Sequence, residues 1–271
     1  MTSGGAGGDG VRFATAEGIL RVSLDRPEAK NSLTPEAIRR IIEVLEDAAL
    51  DDSLRVVLLD STGEDFCAGA DVVSANAGRD TPKPRPGSLQ RRTGLQAHRL
   101  VELLMSIQLP VVCAVRGWAA GLGFQLALAA DFAVVSDTAT FWEPFVSRGF
   151  TPDSGATWLL PRLIGIARAK ELLMLGEHIS GDEAADWGLV HTAVPDAEVD
   201  TVAGILARRL ASGPTVALGL TKACIHSSLE LSLTEAMAKE VLALELSCRT
   251  QDFREGMAAF GERREPDYGG R

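Results

Sequence analysis

The sequence is poor in the residues that bind metals or form disulfides. Its 271 residues include only four cysteines and four histidines, and these are dispersed along the chain. No two cysteines have CxxC spacing, and no HxxxH or HExxH pair occurs. Scattered thiols of this kind indicate free, buried cysteines in a reducing compartment. We therefore expect a cytoplasmic protein without disulfides and without a zinc site.

Long apolar runs and an excess of basic residues are also missing. No uncharged apolar run reaches the roughly 18 residues that a membrane span needs. The 27 Lys and Arg residues against 37 Asp and Glu residues give a net charge of −10, which argues against nucleic acid or an anionic membrane as the main partner. The first ten residues, MTSGGAGGDG, lack the pattern of a signal peptide, and we interpret 1–10 as a flexible tail.

What the sequence does contain is an alternation of strands and amphipathic helices. The alternating segment 18–24 predicts a half-buried strand, and continuous apolar runs predict strands covered on both faces at 56–60, 111–115 and 132–136. Helices are predicted between these strands at 35–50, 92–107 and 122–130. This order is typical of an α/β fold with parallel strand pairing.

From about residue 155 onward the sequence favours helices. They are predicted at 166–175, 181–187, 196–211, 214–228, 231–248 and 252–262, with one short strand near 189–194. We therefore expect an α/β core over 11–195 and a helical C-terminal region over 196–271. The segment 72–91 has several prolines and no periodicity, and we interpret it as a mobile loop.

Two turns rich in small residues each follow a predicted buried strand. They are EDFCAGAD at 64–71 and GWAAGLG at 117–123. Ligands collect at the carboxyl ends of the strands of a parallel sheet, and the second turn also begins a helix, whose dipole favours negative charge. Two convergent backbone N–H groups would suit a carbonyl oxygen that gains negative charge during a reaction. Tight packing of two turns against a helix is the alternative explanation.

Five segments in order, DRPEAKNSL, DFCAGAD, GWAAGLGFQLALAAD, TPDSGATWLLPRLIG and FGERREP, resemble the enoyl-CoA hydratase/isomerase (crotonase) superfamily. The resemblance covers the chain from about residue 12 to its end. It implies an acyl-CoA thioester substrate, a core built from repeated ββα units, and homotrimers or dimers of trimers that associate through 196–271. Coenzyme A would be part of the substrate, and no separate cofactor or metal is expected.

The resemblance also implies roles for individual residues. The oxyanion donors would be the N–H groups of Ala70 and Leu122. The Ala68 carbonyl and Lys30 would hold the adenine end of coenzyme A. Phe260 and Arg263 match positions that reach toward coenzyme A, often from a neighbouring subunit, although a solvated basic helix end is an equal alternative. The complete set of predicted substrate contacts is Lys30, Ala68, Gly69, Asp71, Val72, Gly121, Gly123, Gln125, Phe145, Phe260 and Arg263.

The two glutamates that the hydratases of this superfamily use are missing. Gln125 and Phe145 stand at the matching positions, and neither can act as a base. Asp153, in TPDSG, matches the aspartate that shuttles the proton in the isomerase branch, which includes the ring-opening isomerases of phenylacetate breakdown. A helix N-cap is the alternative role for Asp153. Glu143 is the rival base, although we expect an exposed or ion-paired structural role for it.

Three functional hypotheses follow from these residues. The first is an enoyl-CoA isomerase in which Asp153 moves a proton between two carbons. The second is an enoyl-CoA hydratase, which would need an activated water as well. The third is a catalytically degenerate member of the superfamily that binds acyl-CoA without turning it over.

Overall fold

The computed structural model describes residues 9–71 and 85–271, and nine strands lie in this part of the chain. Six of them form one sheet: β1 (Val11–Ala16), β2 (Ile19–Leu24), β3 (Val56–Ser61), β4 (Val111–Val115), β6 (Phe132–Ser136) and β9 (Thr192–Val194). Three short strands form a second sheet: β5 (Trp118–Ala120), β7 (Thr140–Trp142) and β8 (His178–Ser180).

The ten α-helices of the described residues fall between the strands and then follow them. They are α1 (Pro35–Ala48), α2 (Ser88–Thr93), α3 (Arg99–Ser106), α4 (Leu122–Ala129), α5 (Ala156–Lys170), α6 (Gly181–Asp186), α7 (Val199–Ala211), α8 (Thr215–Ser228), α9 (Leu233–Ser247) and α10 (Gln251–Glu262). Within these described ranges, no helix is long and apolar enough to cross a membrane.

The larger sheet has the order β1-β2-β3-β4-β6-β9. The β1–β2 pair is antiparallel, and every later neighbour pairs in parallel. The succession β1–β2–α1 and β4–β5–α4 repeats the same two-strand, one-helix unit. The predicted α/β fold with parallel pairing and a helical C-terminal region is confirmed.

Both faces of the larger sheet are covered, which explains the continuous apolar runs. Val57, Leu59 and Val111 face the main core, whereas their neighbours Val56 and Val112 face a second cluster. The second cluster contains one face of α7, through Val199, Ala203, Ala207 and Ala211. Successive residues of a strand point to opposite faces, so a strand between two helical layers needs apolar residues throughout. The sequence boundary that we place at 195/196 remains a prediction, although α7 packs directly on the sheet.

Several elements begin elsewhere than the sequence predicts. The helical segment predicted at 92–107 begins at Ser88 and passes through a π-helical turn at Gly94–His98. Residues 88–91 are therefore helical rather than part of a loop, and 72–84 lie outside the described residues, as do 1–8 of the predicted tail. A helical segment that the sequence did not predict begins at Ala156, and Gly165, with φ 75° and ψ 166°, separates it from the helix predicted at 166–175.

A buried lysine joins the helical C-terminal region to the α/β core. Lys222 of α8 donates from Nζ to the Asp131 carboxylate at 2.7 Å and to the carbonyl oxygens of Leu104 and Leu109 at 2.7 and 3.3 Å. Its pKa is lowered by burial, which the negative charge of Asp131 partly opposes. All three donor positions of the ammonium group are thereby occupied.

We expect Lys222→Met to destabilise the protein by about 3–5 kcal/mol, because it leaves a largely buried carboxylate without its cation. Equilibrium denaturation, followed by circular dichroism, measures the change. Lys170→Met, which changes an exposed lysine at the end of α5, is the matched control, and its midpoint should stay close to that of the wild type. Equal midpoints for Lys222→Met and the wild type would contradict this role.

Candidate active site

The two turns rich in small residues meet at the beginning of α4. A methyl group added at Gly123 would lie 2.3 Å from the carbonyl oxygen of Cys67. One added at Gly69 would lie 2.8 Å from the Ala120 oxygen and 3.5 Å from the Leu122 nitrogen, and Gly69 also has φ +93°. Contacts below 3.0 Å leave no room for a side chain, so glycine is required at both positions. Gly69, Gly121 and Gly123 therefore lie where the two turns meet, and their predicted contact with substrate stays a prediction.

The hydrogen bonds around Ala70 leave its backbone N–H directed away from the segment that contains Leu33. Leu33 forms a parallel bridge to Ala70, in which its N–H donates to Gly69 and its carbonyl accepts from Asp71, both at 2.8 Å. In such a bridge the central residue directs its own N–H to the opposite side. Within the described residues the Ala70 N–H has no hydrogen-bond acceptor.

The Leu122 N–H is the second available donor. Leu122 is the first residue of α4, and the first N–H groups of a helix have no acceptor inside it. Gly121 directly before it donates to the Trp142 carbonyl at 2.9 Å, but across the described ranges no acceptor faces Leu122 itself. Two unused donors therefore lie on two abutting turns. That these two N–H groups form an oxyanion hole remains a prediction.

The predicted coenzyme A contacts near residue 68 surround the same turn. Ala68 donates its N–H to the Lys30 carbonyl at 2.9 Å. The Lys30 ammonium lies 3.1 Å from the Asp65 carboxylate and 5.6 Å from the centre of the Trp118 ring. Asp71 forms an ion pair with Arg26 at 3.2 Å, so its carboxylate joins two loops of the protein. Val72 lies outside the described residues.

Glu143 is buried beside Gln125, and our expectation of an exposed or ion-paired Glu143 is wrong. Glu143 is 1% exposed and Gln125 is 0% exposed. The Gln125 Nε2 donates to Glu143 Oε1, and no cation of the described chain pairs with Glu143. Glu143 is held here because it follows β7, whose Trp142 carbonyl accepts the Gly121 N–H at 2.9 Å, and because Pro144 packs beside Gly121.

The environment of Glu143 favours its neutral form. Burial raises the pKa of Glu143 well above its ordinary value, and the negative charge of Asp153 raises it further. The hydrogen bond from Gln125 acts in the opposite direction and is weaker than burial. These influences together favour the protonated form of Glu143.

Asp153 is exposed, and its carboxylate does not cap a helix. Its Oδ1 accepts a 2.9 Å hydrogen bond from the Ser154 hydroxyl. The N-cap residue of α5 is Gly155, and no side chain makes a capping hydrogen bond there. The alternative of a helix N-cap is therefore wrong. Ser154 and Gly155 have φ 52° and 90° and turn the chain sharply after Asp153.

The remaining predicted contacts lie in two different places. Phe145 is buried and meets Phe150 edge-on, with ring centres 5.5 Å apart. Phe260 is 82% exposed at the end of α10, and Arg263 ends that helix in the left-handed conformation. Among the described residues, no hydrogen bond or ion pair joins Phe260 or Arg263 to the two turns. Their predicted contact with coenzyme A across a subunit boundary stays a prediction.

Sequence reasoning missed the Gln125–Glu143 pair, although it singled out both residues. The available signal was the position of Glu143 directly after an apolar dipeptide, Phe141–Trp142, and directly before Pro144. An acidic residue in such a short extended segment can be buried when apolar residues flank it on both sides. A cluster of Trp118, Trp142 and His178, with ring centres 5.0–6.2 Å apart, was likewise not predicted.

The sequence model of the enoyl-CoA hydratase/isomerase family matches residues 14–271. The chain is 38% identical to 1,2-epoxyphenylacetyl-CoA isomerase of Escherichia coli over 255 residues, which cover 94% of this chain and 96% of that protein. It is 33% identical to crotonyl-CoA hydratase of Syntrophomonas wolfei over 253 residues, covering 93% and 95%. The crystal structure of an enoyl-CoA hydratase from Bacillus anthracis superimposes with a TM-score of 0.89, at 31% identity, covering 97% of this chain and 100% of that one.

A methyl group at residue 69 should separate the two N–H donors. We expect Gly69→Ala to lower turnover of an enoyl-CoA by about 10²–10³, the usual effect of losing one such donor. The matched control is Gly188→Ala, since Gly188 has φ +74° but no atom within 4 Å of the added methyl. Both variants place an L-residue at positive φ and are strained for that reason. Only Gly69→Ala also crowds the N–H groups of Ala70 and Leu122. Steady-state kinetics on the two folded variants checks this, and equal rates would place the oxyanion hole elsewhere.

Proposed function

Since the chain belongs to the enoyl-CoA hydratase/isomerase family, we propose that it shifts a double bond in an enoyl-CoA, with Asp153 as the base. The observation that carries this proposal is which acidic side chains lie near the two turns and how far each is buried. The two positions of the hydratase glutamates hold the amide of Gln125 and the ring of Phe145. Burial favours the neutral form of Glu143, and Asp153 is an exposed carboxylate whose charge acts on it.

In the proposed mechanism, the thioester oxygen accepts hydrogen bonds from the N–H groups of Ala70 and Leu122. Removal of a proton next to the thioester, or two carbons further along, moves negative charge onto that oxygen. The two backbone dipoles are fixed before the reaction, so they stabilise this charge without reorganising. Asp153 takes the proton from one carbon and returns it to another. Coenzyme A is part of the substrate, and the proposal needs no separate cofactor.

Hydration of an enoyl-CoA is the second candidate, and its support is the hydratase names among the relatives. Water addition needs a water molecule that a base activates and a proton donor for the α carbon. Gln125 can orient a water molecule but cannot deprotonate it. The third candidate, a degenerate acyl-CoA binder, predicts binding without turnover of either substrate.

We propose that the protein assembles as a homotrimer or a dimer of trimers, with the C-terminal helices at the contact. Large apolar side chains are exposed along α9 and α10 in the single chain: Leu233, Met237, Val241, Leu242, Leu244, Leu246, Phe253, Met257 and Phe260. An apolar surface of this extent indicates a protein interface. We further propose that the protein is cytoplasmic, since all four cysteines are free.

The reaction is tested by following two substrates separately. We expect the wild type to isomerise a 3-enoyl-CoA faster than it hydrates a 2-enoyl-CoA, and Asp153→Asn to lower isomerisation by about 10²–10⁴, the usual contribution of a general base. The affinity of Asp153→Asn for acyl-CoA should stay within a few-fold of the wild type, because the nucleotide contacts and the two N–H donors remain. Calorimetry measures that affinity.

Asp186→Asn, which changes an exposed aspartate at the end of α6, is the control for this experiment and should behave as the wild type in both assays. Hydration that is fast and indifferent to Asp153 would overturn the isomerase proposal. Binding without either reaction in the wild type would favour the degenerate binder.

A further inference from the structure

The segment that follows α10 folds back along this helix. The Asp267 N–H donates a hydrogen bond of 2.8 Å to the carboxyl group of Glu255, which lies in the middle of α10. Tyr268 lies beside the same helix, since a methyl group added at Gly256 would lie 3.0 Å from its hydroxyl oxygen. Residues 264–271 therefore cover one side of α10.

Asp252, in the first turn of α10, binds two glycines of this segment. Its side chain is buried, and its Oδ1 accepts hydrogen bonds from the N–H groups of Gly269 at 2.8 Å and Gly270 at 3.1 Å. The Asp252 N–H donates in turn to the Arg271 carbonyl at 3.0 Å. Three hydrogen bonds thus join the first turn of α10 to 269–271.

Arg55 binds the same segment from the side of the larger sheet. It directly precedes β3, and its guanidinium group donates to the Tyr268 carbonyl at 3.0 Å. It also donates to the Thr215 hydroxyl at 3.0 Å and to the Gly213 carbonyl at 2.5 Å, where α8 begins. A methyl group added at Gly270 would lie 3.1 Å from the Arg55 Nε. Arg55 therefore connects the sheet, the beginning of α8 and this segment.

The polar connection from α10 to the α/β core runs through these residues. Among the described residues, the hydrogen bonds and ion pairs of 251–262 go to α10 itself, to Thr250 before it or to 263–271 after it. Only the segment after α10 then continues to the sheet, by way of Arg55. We call Asp252, residues 268–271 and Arg55 the latch.

The latch leaves an apolar side of α10 uncovered. Phe253, Met257 and Phe260 are 43%, 57% and 82% exposed, and their spacing of four and three residues places them on one helix face. Asp252 and Gly256, which face the folded-back segment, each precede one of them by a single position. One position corresponds to about 100° of rotation around the helix. The latch therefore fixes the direction in which the apolar side faces.

We propose that the latch controls the association of this chain with further copies of itself. It holds α10 in the orientation in which Phe253, Met257 and Phe260 meet a neighbouring copy. Arg55 and Asp252 are positioning residues, since neither belongs to that apolar side. When the latch is broken, only a fraction of the chains present α10 in this orientation, and the apparent affinity between copies falls by that fraction. This inference rests on the proposed function, which places α9 and α10 at the contact between copies.

Asp252→Ala tests the inference in the full chain. It removes the acceptor of two hydrogen bonds, and we expect the concentration at which half of the oligomer dissociates to rise by at least about tenfold. Sedimentation velocity over a series of protein concentrations measures this. The matched control is Asp182→Ala, since Asp182 is also the second residue of its helix but is exposed, and it should associate as the wild type does. Unchanged association of Asp252→Ala would overturn the inference.

Three further variants distinguish positioning from a general loss of structure. Asp252→Asn keeps an oxygen that accepts both N–H groups, so it should retain most of the association. Arg55→Met breaks the same latch from the sheet, so the double variant with Asp252→Ala should associate no more weakly than the weaker single variant. Additive effects, or an Asn variant as weak as the Ala variant, would overturn the inference. If Asp252→Ala does not fold, Gly270→Ala decides the matter, because its methyl group would lie 2.9 Å from the Thr215 hydroxyl.

Failure of the inference is distinguishable from failure of the proposed assembly. Met257→Gln keeps the length of an exposed side chain on the apolar side of α10 but makes it polar. If Met257→Gln weakens the oligomer and Asp252→Ala does not, only the role of the latch is wrong. If the wild type is a monomer, or if Met257→Gln leaves the oligomer unchanged, α10 is not at the contact and the inference fails with the proposed assembly.

Discussion

The site depends on the close approach of helix α4 to the turn that contains Cys67. The Cys67 carbonyl accepts the Ala120 N–H at 2.9 Å, and the Cys67 N–H donates to Trp118 at 2.9 Å. These two bonds bring β5 against the turn, and the absence of a side chain at Gly123 lets the helix begin there. The positions of the Ala70 and Leu122 donors follow from this contact rather than from any side chain. A backbone pocket of this kind is fixed before a ligand arrives, which is what stabilisation of a developing charge requires.

The second constraint is the difference in environment between two carboxyl groups. Glu143 is buried and no cation of the described residues pairs with it, so burial favours its neutral form. Asp153 lies exposed at the surface of the single chain. Under the proposed mechanism, this difference assigns the base to Asp153.

Much of the fold could be predicted from the sequence because the signals are local. Apolar runs predicted β3, β4 and β6, and the small-residue turns predicted where two backbone N–H groups lack an acceptor among the described residues. The strands β5, β7 and β8 are three residues each, too short for a periodicity to be detected. The sequence around Glu143 carried only a weak signal of its burial. That burial depends on β7 lying beside α4, where Phe124 and Phe141 are in ring contact, and this contact forms only in the folded chain.

Counting acids along the sequence is therefore a weak guide to the reaction within this family. The positions of the two hydratase glutamates hold an amide and a ring, yet a carboxyl group reaches the same neighbourhood through Glu143, hydrogen-bonded to that amide. Only an ionised carboxyl group can remove a proton. Burial favours the neutral form of Glu143, which can donate a hydrogen bond to an oxygen but does not activate water. Under the proposed mechanism the exposed Asp153 is then the base, and one base is sufficient for a reaction that returns the proton it removes.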